Sequence, residues 1–120
     1  MGQGFASNKV KQMGNEKFKA KDFESAILYY SKVLQYDKAN HLVQANRCLC
    51  YLKTEQYGFA YEDAVEVIKK RPDFVKAHYR LGLVYEKMNI LYESYMAFKR
   101  GCELDEYKTG SMIDKMNEIK

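Results

Sequence analysis

Apolar residues recur at helical spacing along nearly the whole chain. Val10, Met13, Gly14 and Phe18 form one such stripe, and Phe23, Ala26, Ile27, Tyr30, Val33 and Leu34 form the next. The pattern returns over residues 42–53, 57–69, 75–87 and 91–104. It predicts six helices. The polar stretch Lys19-Ala20-Lys21-Asp22 separates the first two, with Asp22 placed to cap the second. Asn40 and Asp73 stand where the third and fifth helices need caps. Pro72, the one proline, falls between the fourth and fifth, where a helix must stop. No Asn-Gly or Asp-Gly turn joins alternating runs, so strands are not expected. Ser111-Met112-Ile113-Asp114 resembles a capping box and is followed by Met116 and Ile119, which predicts a seventh helix over 109–120.

The six helices are not independent. Gly14, Cys48 and Gly82 are spaced by 34 residues, and so are Ala26, Ala60 and Ser94. Val33, Val67 and Gly101 follow the same period, as do Leu34, Ile68 and Cys102, and Phe23, Tyr57 and Leu91. Two of these columns contain only small residues. Small side chains at fixed positions let two helices approach closely, while bulky columns fill the spaces between them. The expected fold is all-α: an α-solenoid of three helix pairs over residues 7–40, 41–74 and 75–108, closed by a capping helix over 109–120. Residues 1–6 are expected to be an N-terminal extension. A solenoid needs its cap because the last repeat otherwise exposes a core face. The chain ends inside that cap without a stop signal, which suggests a piece of a longer protein.

Composition narrows the function classes. A chain of 120 residues, 47% hydrophobic with 11 Tyr and 6 Phe, suits one packed helical domain. No apolar run approaches the length of a membrane span, and no signal peptide is visible. Ala6 breaks the myristoylation pattern at the start. Three cysteines without a disulfide framework suggest a reducing compartment. The net charge of +4 suits an acidic ligand better than a nucleic acid, which needs a denser basic stripe.

The 34-residue helix pair resembles the tetratricopeptide repeat, and the resemblance spans residues 7–107. Three columns depart from the family pattern. Val10, Gln44 and His78 stand where Trp is frequent, and Lys38 and Glu106 flank Pro72 in the proline column. Val33 and Val67 stand in a usually small column. One subgroup of the family carries a two-carboxylate clamp. It reads Lys-x-x-x-Asn in the first helix, Asn-Arg in the third and Lys-x-x-x-Arg in the fifth. Lys11-Gln12-Met13-Gly14-Asn15, Asn46-Arg47 and Lys76-Ala77-His78-Tyr79-Arg80 match it. The resemblance implies binding of the Glu-Glu-Val-Asp tail of the cytosolic seventy- and ninety-kilodalton heat-shock chaperones. It assigns Lys11, Asn15 and Asn46 to the terminal carboxylate, Lys76 to the last Asp side chain and Arg80 to the upstream peptide. It implies a cytoplasmic setting, extending to the nucleus. Phe18-Lys19-Ala20-Lys21-Asp22-Phe23 and Thr54-Glu55-Gln56-Tyr57-Gly58 further resemble repeat domains that precede a serine/threonine phosphatase catalytic domain.

The residues support a binding site on their own terms. Positions four apart share one helix face, so Lys11 pairs with Asn15 and Lys76 with Arg80. First helices of stacked repeats line a shared concave surface. Three cations and two amides there offer charge-assisted hydrogen bonds to a carboxylate. Phe18, one turn beyond Asn15, is either an apolar contact for the peptide or plain core. Cys48, Cys50 and Cys102 lack metal-ligand spacing, His41 and His78 read as packing or surface residues, and no phosphate loop is present. No metal, cofactor or catalytic residue is expected. A second reading stays open: an autoinhibitory or assembly domain whose partner is a catalytic domain in its own longer chain.

Overall fold

A computed structural model describes residues 2–106, with side chains from 7 to 106. Six helices follow in order: α1 (Gly2–Lys19), α2 (Phe23–Tyr36), α3 (His41–Lys53), α4 (Tyr57–Lys70), α5 (Val75–Lys87) and α6 (Leu91–Leu104). No strand occurs among the described residues. The expected capping helix over 109–120 lies outside them. Helix α1 begins at Gly2, so residues 2–6 continue the first helix instead of standing apart as an extension.

The turn inside each pair repeats with the sequence. Lys21, Glu55 and Asn89, again 34 apart, all take positive φ, at 63°, 60° and 61°. Each is followed by a backbone N–H that reaches back five residues: Asp22 to Lys17, Gln56 to Tyr51 and Ile90 to Tyr85. This is the Schellman closure of a helix C-terminus, here without the usual glycine. The left-handed conformation costs a side-chain-bearing residue about 1–2 kcal/mol, so tertiary packing must hold it. The next helix then starts at once. Asp22 accepts the Ser25 N–H at 3.2 Å, and Asn40 accepts the Val43 N–H at 3.1 Å, each cap contributing about 1 kcal/mol. Asp73 does not cap α5. Phe74 occupies the cap position and offers no side-chain bond, while Asp73 lies 3.7 Å from Arg71. The 34-residue register explains the shift, since Phe74 is the counterpart of Asn40.

Helices pack with their neighbours in sequence, and α3 also touches α5, which aligns the first helices of successive pairs. Three buried clusters run between the layers: Ala26, Ile27, Tyr30, Val33, Val43 and Cys50, then Cys48, Leu52, Ala60, Ala64 and Val84, then Ala45, Val67 and Ala77. The small columns show why the pairs pack closely. A Cβ on Gly14 would come within 2.8 Å of the Tyr30 ring, and one on Gly82 within 2.7 Å of Phe98. In the middle pair the sizes are exchanged, for Cys48 packs with Ala60 and Ala64. Tyr30, Ala64 and Phe98 are themselves one 34-residue column. Ring against glycine and alanine against cysteine are two solutions to one spacing.

Two glycine substitutions should therefore act in opposite directions. Gly82→Ala gains up to about 1 kcal/mol of helix propensity. It also forces a methyl into the fully buried Phe98 ring, and overpacking of that kind costs about 1–3 kcal/mol. The expected result is a lower urea midpoint. Gly58, in the first turn of α4, has nothing within 4 Å of its missing Cβ, so Gly58→Ala should raise the midpoint slightly. Matching signs for the two variants would contradict the close-approach account.

Candidate peptide-binding site

The five residues that the clamp resemblance assigns converge. Lys11 and Asn15 of α1, Asn46 of α3, and Lys76 and Arg80 of α5 line one open cavity of about 320 Å³. Each lies on the face its first helix turns toward the neighbouring pair. Apolar walls come from Leu42, Val43 and Phe74, with Asn40 at the rim. No Asp or Glu lines the cavity. Lys11 and Lys76 have no ion-pair partner among the described residues. The site is thus a concentration of donors and positive charge without internal neutralisation, which attracts an anion.

Arg80 is more embedded than its exposed-looking sequence context suggests. It is half-buried, and its Nη1 donates to the Ala45 carbonyl at 2.7 Å. Burial lowers its pKa, and the nearby Cys48, Cys50 and Tyr79 only partly offset this. A guanidinium stays charged regardless, so a carboxylate arriving beside it relieves an existing desolvation cost. Asn15 is fixed from below. Its Oδ1 accepts the Tyr30 hydroxyl at 2.6 Å, which turns the amide N–H donors toward the open side.

Arg47, next to Asn46 in sequence, takes no part. Its Nε and Nη2 form a bidentate pair with Asp63 at 2.8 and 2.6 Å, and its Nη1 donates to Ser31 at 3.0 Å. Asp63 is buried and also accepts Gln44 at 3.2 Å. This network ties α3 to α2 and α4. Phe18 lies away from the cavity wall and meets Phe23 edge-on at 5.7 Å beside the first core cluster. Cys48 is core, with its thiol on the Ala60 carbonyl at 3.2 Å. His78 donates to the Pro72 carbonyl at 2.8 Å, and His41 packs edge-on against Phe74. Among the described residues no three metal-ligating side chains come together. The sequence reading missed the Asn40–Phe74 rim and Tyr30. Asn40 and Phe74 are 34 apart and precede the helices that carry the clamp positions, and that spacing was the available signal.

A family profile described as "Serine/threonine-protein kinase BSK1-like, TPR repeats" matches residues 3–81. The chain belongs to the tetratricopeptide repeat family. That fold is an interaction scaffold and not a catalytic one. Human serine/threonine-protein phosphatase 5 is 39% identical over 74 residues, which are 62% of this chain and 15% of that protein. The heat shock protein STI1 of Saccharomyces cerevisiae is 33% identical over 100 residues, 82% of this chain and 17% of its own length. The chain thus spans about a sixth of these relatives. The second tetratricopeptide domain of human RPAP3, solved in complex with the HSP70 peptide SGPTIEEVD, superposes with a TM-score of 0.89 at 28% identity. The match covers 98% of each chain. No described helix is long and apolar enough to cross a membrane.

The groups beneath the site set an alkaline limit on the fold. Burial pushes the Tyr30 phenol up to about 12 from an ordinary value near 10. It pushes the Cys48 and Cys50 thiols up to about 12 from near 9. In each case the folded pKa lies above the unfolded one, so the folded state holds its proton longer. That contribution is complete below about pH 9 and falls away as pH rises toward about 12. The urea midpoint should drop between about pH 8 and about pH 10.5, and Cys48→Ser should reduce the drop. A flat midpoint across that window would contradict the buried, protonated assignment.

Proposed function

We propose that this chain is a chaperone-tail receptor. It binds the C-terminal Glu-Glu-Val-Asp of seventy- and ninety-kilodalton heat-shock proteins through Lys11, Asn15, Asn46, Lys76 and Arg80. The observation that carries this is the meeting of those five residues, from three different helices, around one cavity with no acidic wall. The RPAP3 domain, similar over its whole length, is bound to a peptide with that ending. Within the cavity, Lys11, Asn15 and Asn46 suit the main-chain carboxylate. Lys76 suits the Asp side chain, and Arg80 the peptide upstream. Such a module targets whatever chain carries it to chaperones in the cytosol, and in the nucleus where they also occur. Likeness to phosphatase 5 supports a serine/threonine phosphatase domain as one such cargo.

The clean clamp probe is Lys11→Ala, since the Lys11 side chain makes no ion pair among the described residues while Arg80 bonds the Ala45 carbonyl. It should weaken tail binding by about 1.5–3 kcal/mol, the usual worth of a hydrogen bond to a charged group, and leave the thermal transition in place. Normal binding by a folded Lys11→Ala protein would remove Lys11 from the site.

Amidation tests the ligand side. A peptide ending in Glu-Glu-Val-Asp should bind at micromolar Kd, about −8 kcal/mol. Its C-terminal amide should bind at least about tenfold more weakly, because one charge is gone and the donors face a poorer acceptor. A scrambled peptide of equal charge controls for general attraction. Equal affinity for acid and amide in a calorimetric titration would defeat the clamp and favour an internal segment of the chain's own protein as ligand.

A further inference from the structure

Tyr30 is a core residue with an oxygen that the core does not need. It is fully buried and lies on Gly14. Its counterpart two repeats on, Phe98, is equally buried and lies on Gly82 with the same closeness. A bare phenyl ring therefore satisfies this packing position. The hydroxyl is an addition found in the first repeat only, for the middle repeat has Ala64 there. Burying a hydroxyl is unfavourable unless it is paired.

Its partner is also specific to the first repeat. The hydroxyl donates to Asn15 Oδ1 at 2.6 Å, and the columns that hold Asn15 and Tyr30 read Leu49 with Ala64 and Leu83 with Phe98 in the other two. Asn46, the other clamp amide, lies near the same phenol and acts to lower its pKa, against the larger effect of burial. Internal repetition thus acts as a control. Where the clamp amide is present, the ring carries an oxygen. Where the equivalent position is leucine, the residue in the ring's place is alanine in one repeat and a bare phenyl in the other.

We infer that Tyr30 is a positioning residue for the clamp: its hydroxyl fixes the rotamer and the flip of the Asn15 amide, so that Nδ2 and not Oδ1 faces the ligand carboxylate. An unfixed amide can turn by half a revolution and present an acceptor to an anion, which repels it. The buried hydroxyl keeps its proton well past neutrality, so it remains able to donate to Asn15 Oδ1. The inference rests on the clamp reading given above. It adds a residue that touches no ligand and lines no part of the cavity.

Tyr30→Phe is the test, and Phe98 shows that a phenyl ring fits over the glycine of this packing position. Helix content by circular dichroism should match wild type. Kd for the acid peptide should rise about three- to tenfold, the effect of losing one oriented hydrogen bond. Kd for the amidated peptide should rise less, so the acid-to-amide ratio shrinks. A purely structural stitch between α1 and α2 would move both peptides alike and leave that ratio unchanged. In an Asn15→Ala background, Tyr30→Phe should add no further loss, because the amide it orients is gone. The inference is overturned if Tyr30→Phe keeps the wild-type ratio, or if it weakens binding as much with Asn15→Ala as without it. A wild-type protein blind to amidation overturns the clamp and this role together. Discrimination retained equally by wild type and Tyr30→Phe overturns only the role of the phenol.

Discussion

The structure depends on how closely the two helices of each repeat approach. Glycine at 14 and 82 lets an aromatic ring lie on bare backbone, and the middle repeat reaches a similar spacing with Cys48 over alanines. Neither side of such a contact can change size alone. With that spacing set, the turn between the helices has one geometry, and Lys21, Glu55 and Asn89 adopt it despite the cost of a left-handed backbone. A repeated unit with a repeated turn then stacks in one way, with α3 against α5 and residues of α1, α3 and α5 around one cavity. The binding cavity is a consequence of this alignment. Its five polar residues come from three helices, and the packing of those helices brings them together.

Charge in this protein is sorted by partner. Arg47 and Arg80 both sit on first helices, and each is partly buried. Arg47 faces Asp63 in a bidentate pair, so its charge is spent inside the fold, linking three helices. Arg80 donates to a carbonyl and pairs with no carboxylate among the described residues, so its charge is not neutralised within them. Desolvation is costly for both, and the difference lies in who offsets it: a buried carboxylate in one case, an incoming one in the other. The cavity wall is free of acidic side chains for the same reason. An internal carboxylate there would neutralise the cavity and compete with any arriving anion.

Much of this was legible in the sequence because repetition multiplies weak signals. One amphipathic helix says little, but the same small column three times at a fixed interval specifies helix pairs and their order. The clamp positions were legible through their resemblance to a family subgroup, and helix geometry agreed, because i and i+4 share a face and the repeat says which faces meet. The parts that were not legible depend on single contacts. Asp73 has better cap chemistry than Phe74, yet the register of the repeat places Phe74 at the helix start. Phe18 lies one turn from Asn15, which could point it at the ligand or at the core. The edge-on contact with Phe23 places it with the core. Tyr30 looked like any apolar member of a helical stripe, since periodicity registers the ring and is blind to the oxygen.

That blindness indicates where function resides in a repeat protein. Positions that agree across the three units, such as the small columns and the left-handed turns, carry the scaffold, because each unit needs them equally. Positions that disagree are under no such common demand. Asn15 stands opposite Leu49 and Leu83, Tyr30 opposite Ala64 and Phe98, and Arg80 opposite Asn46. Packing alone accounts for the leucines, the alanine and the phenylalanine. It does not account for an asparagine turned toward a cavity, a buried phenol aimed at that asparagine, or a guanidinium with no acid beside it. These three departures from internal symmetry lie at or beside one cavity, and each adds either a donor or a means of aiming one. Here the polar residues that break the copy serve two ends: Arg47 and Asp63 tie three helices together inside the fold, while Asn15, Asn46 and Arg80 line the cavity.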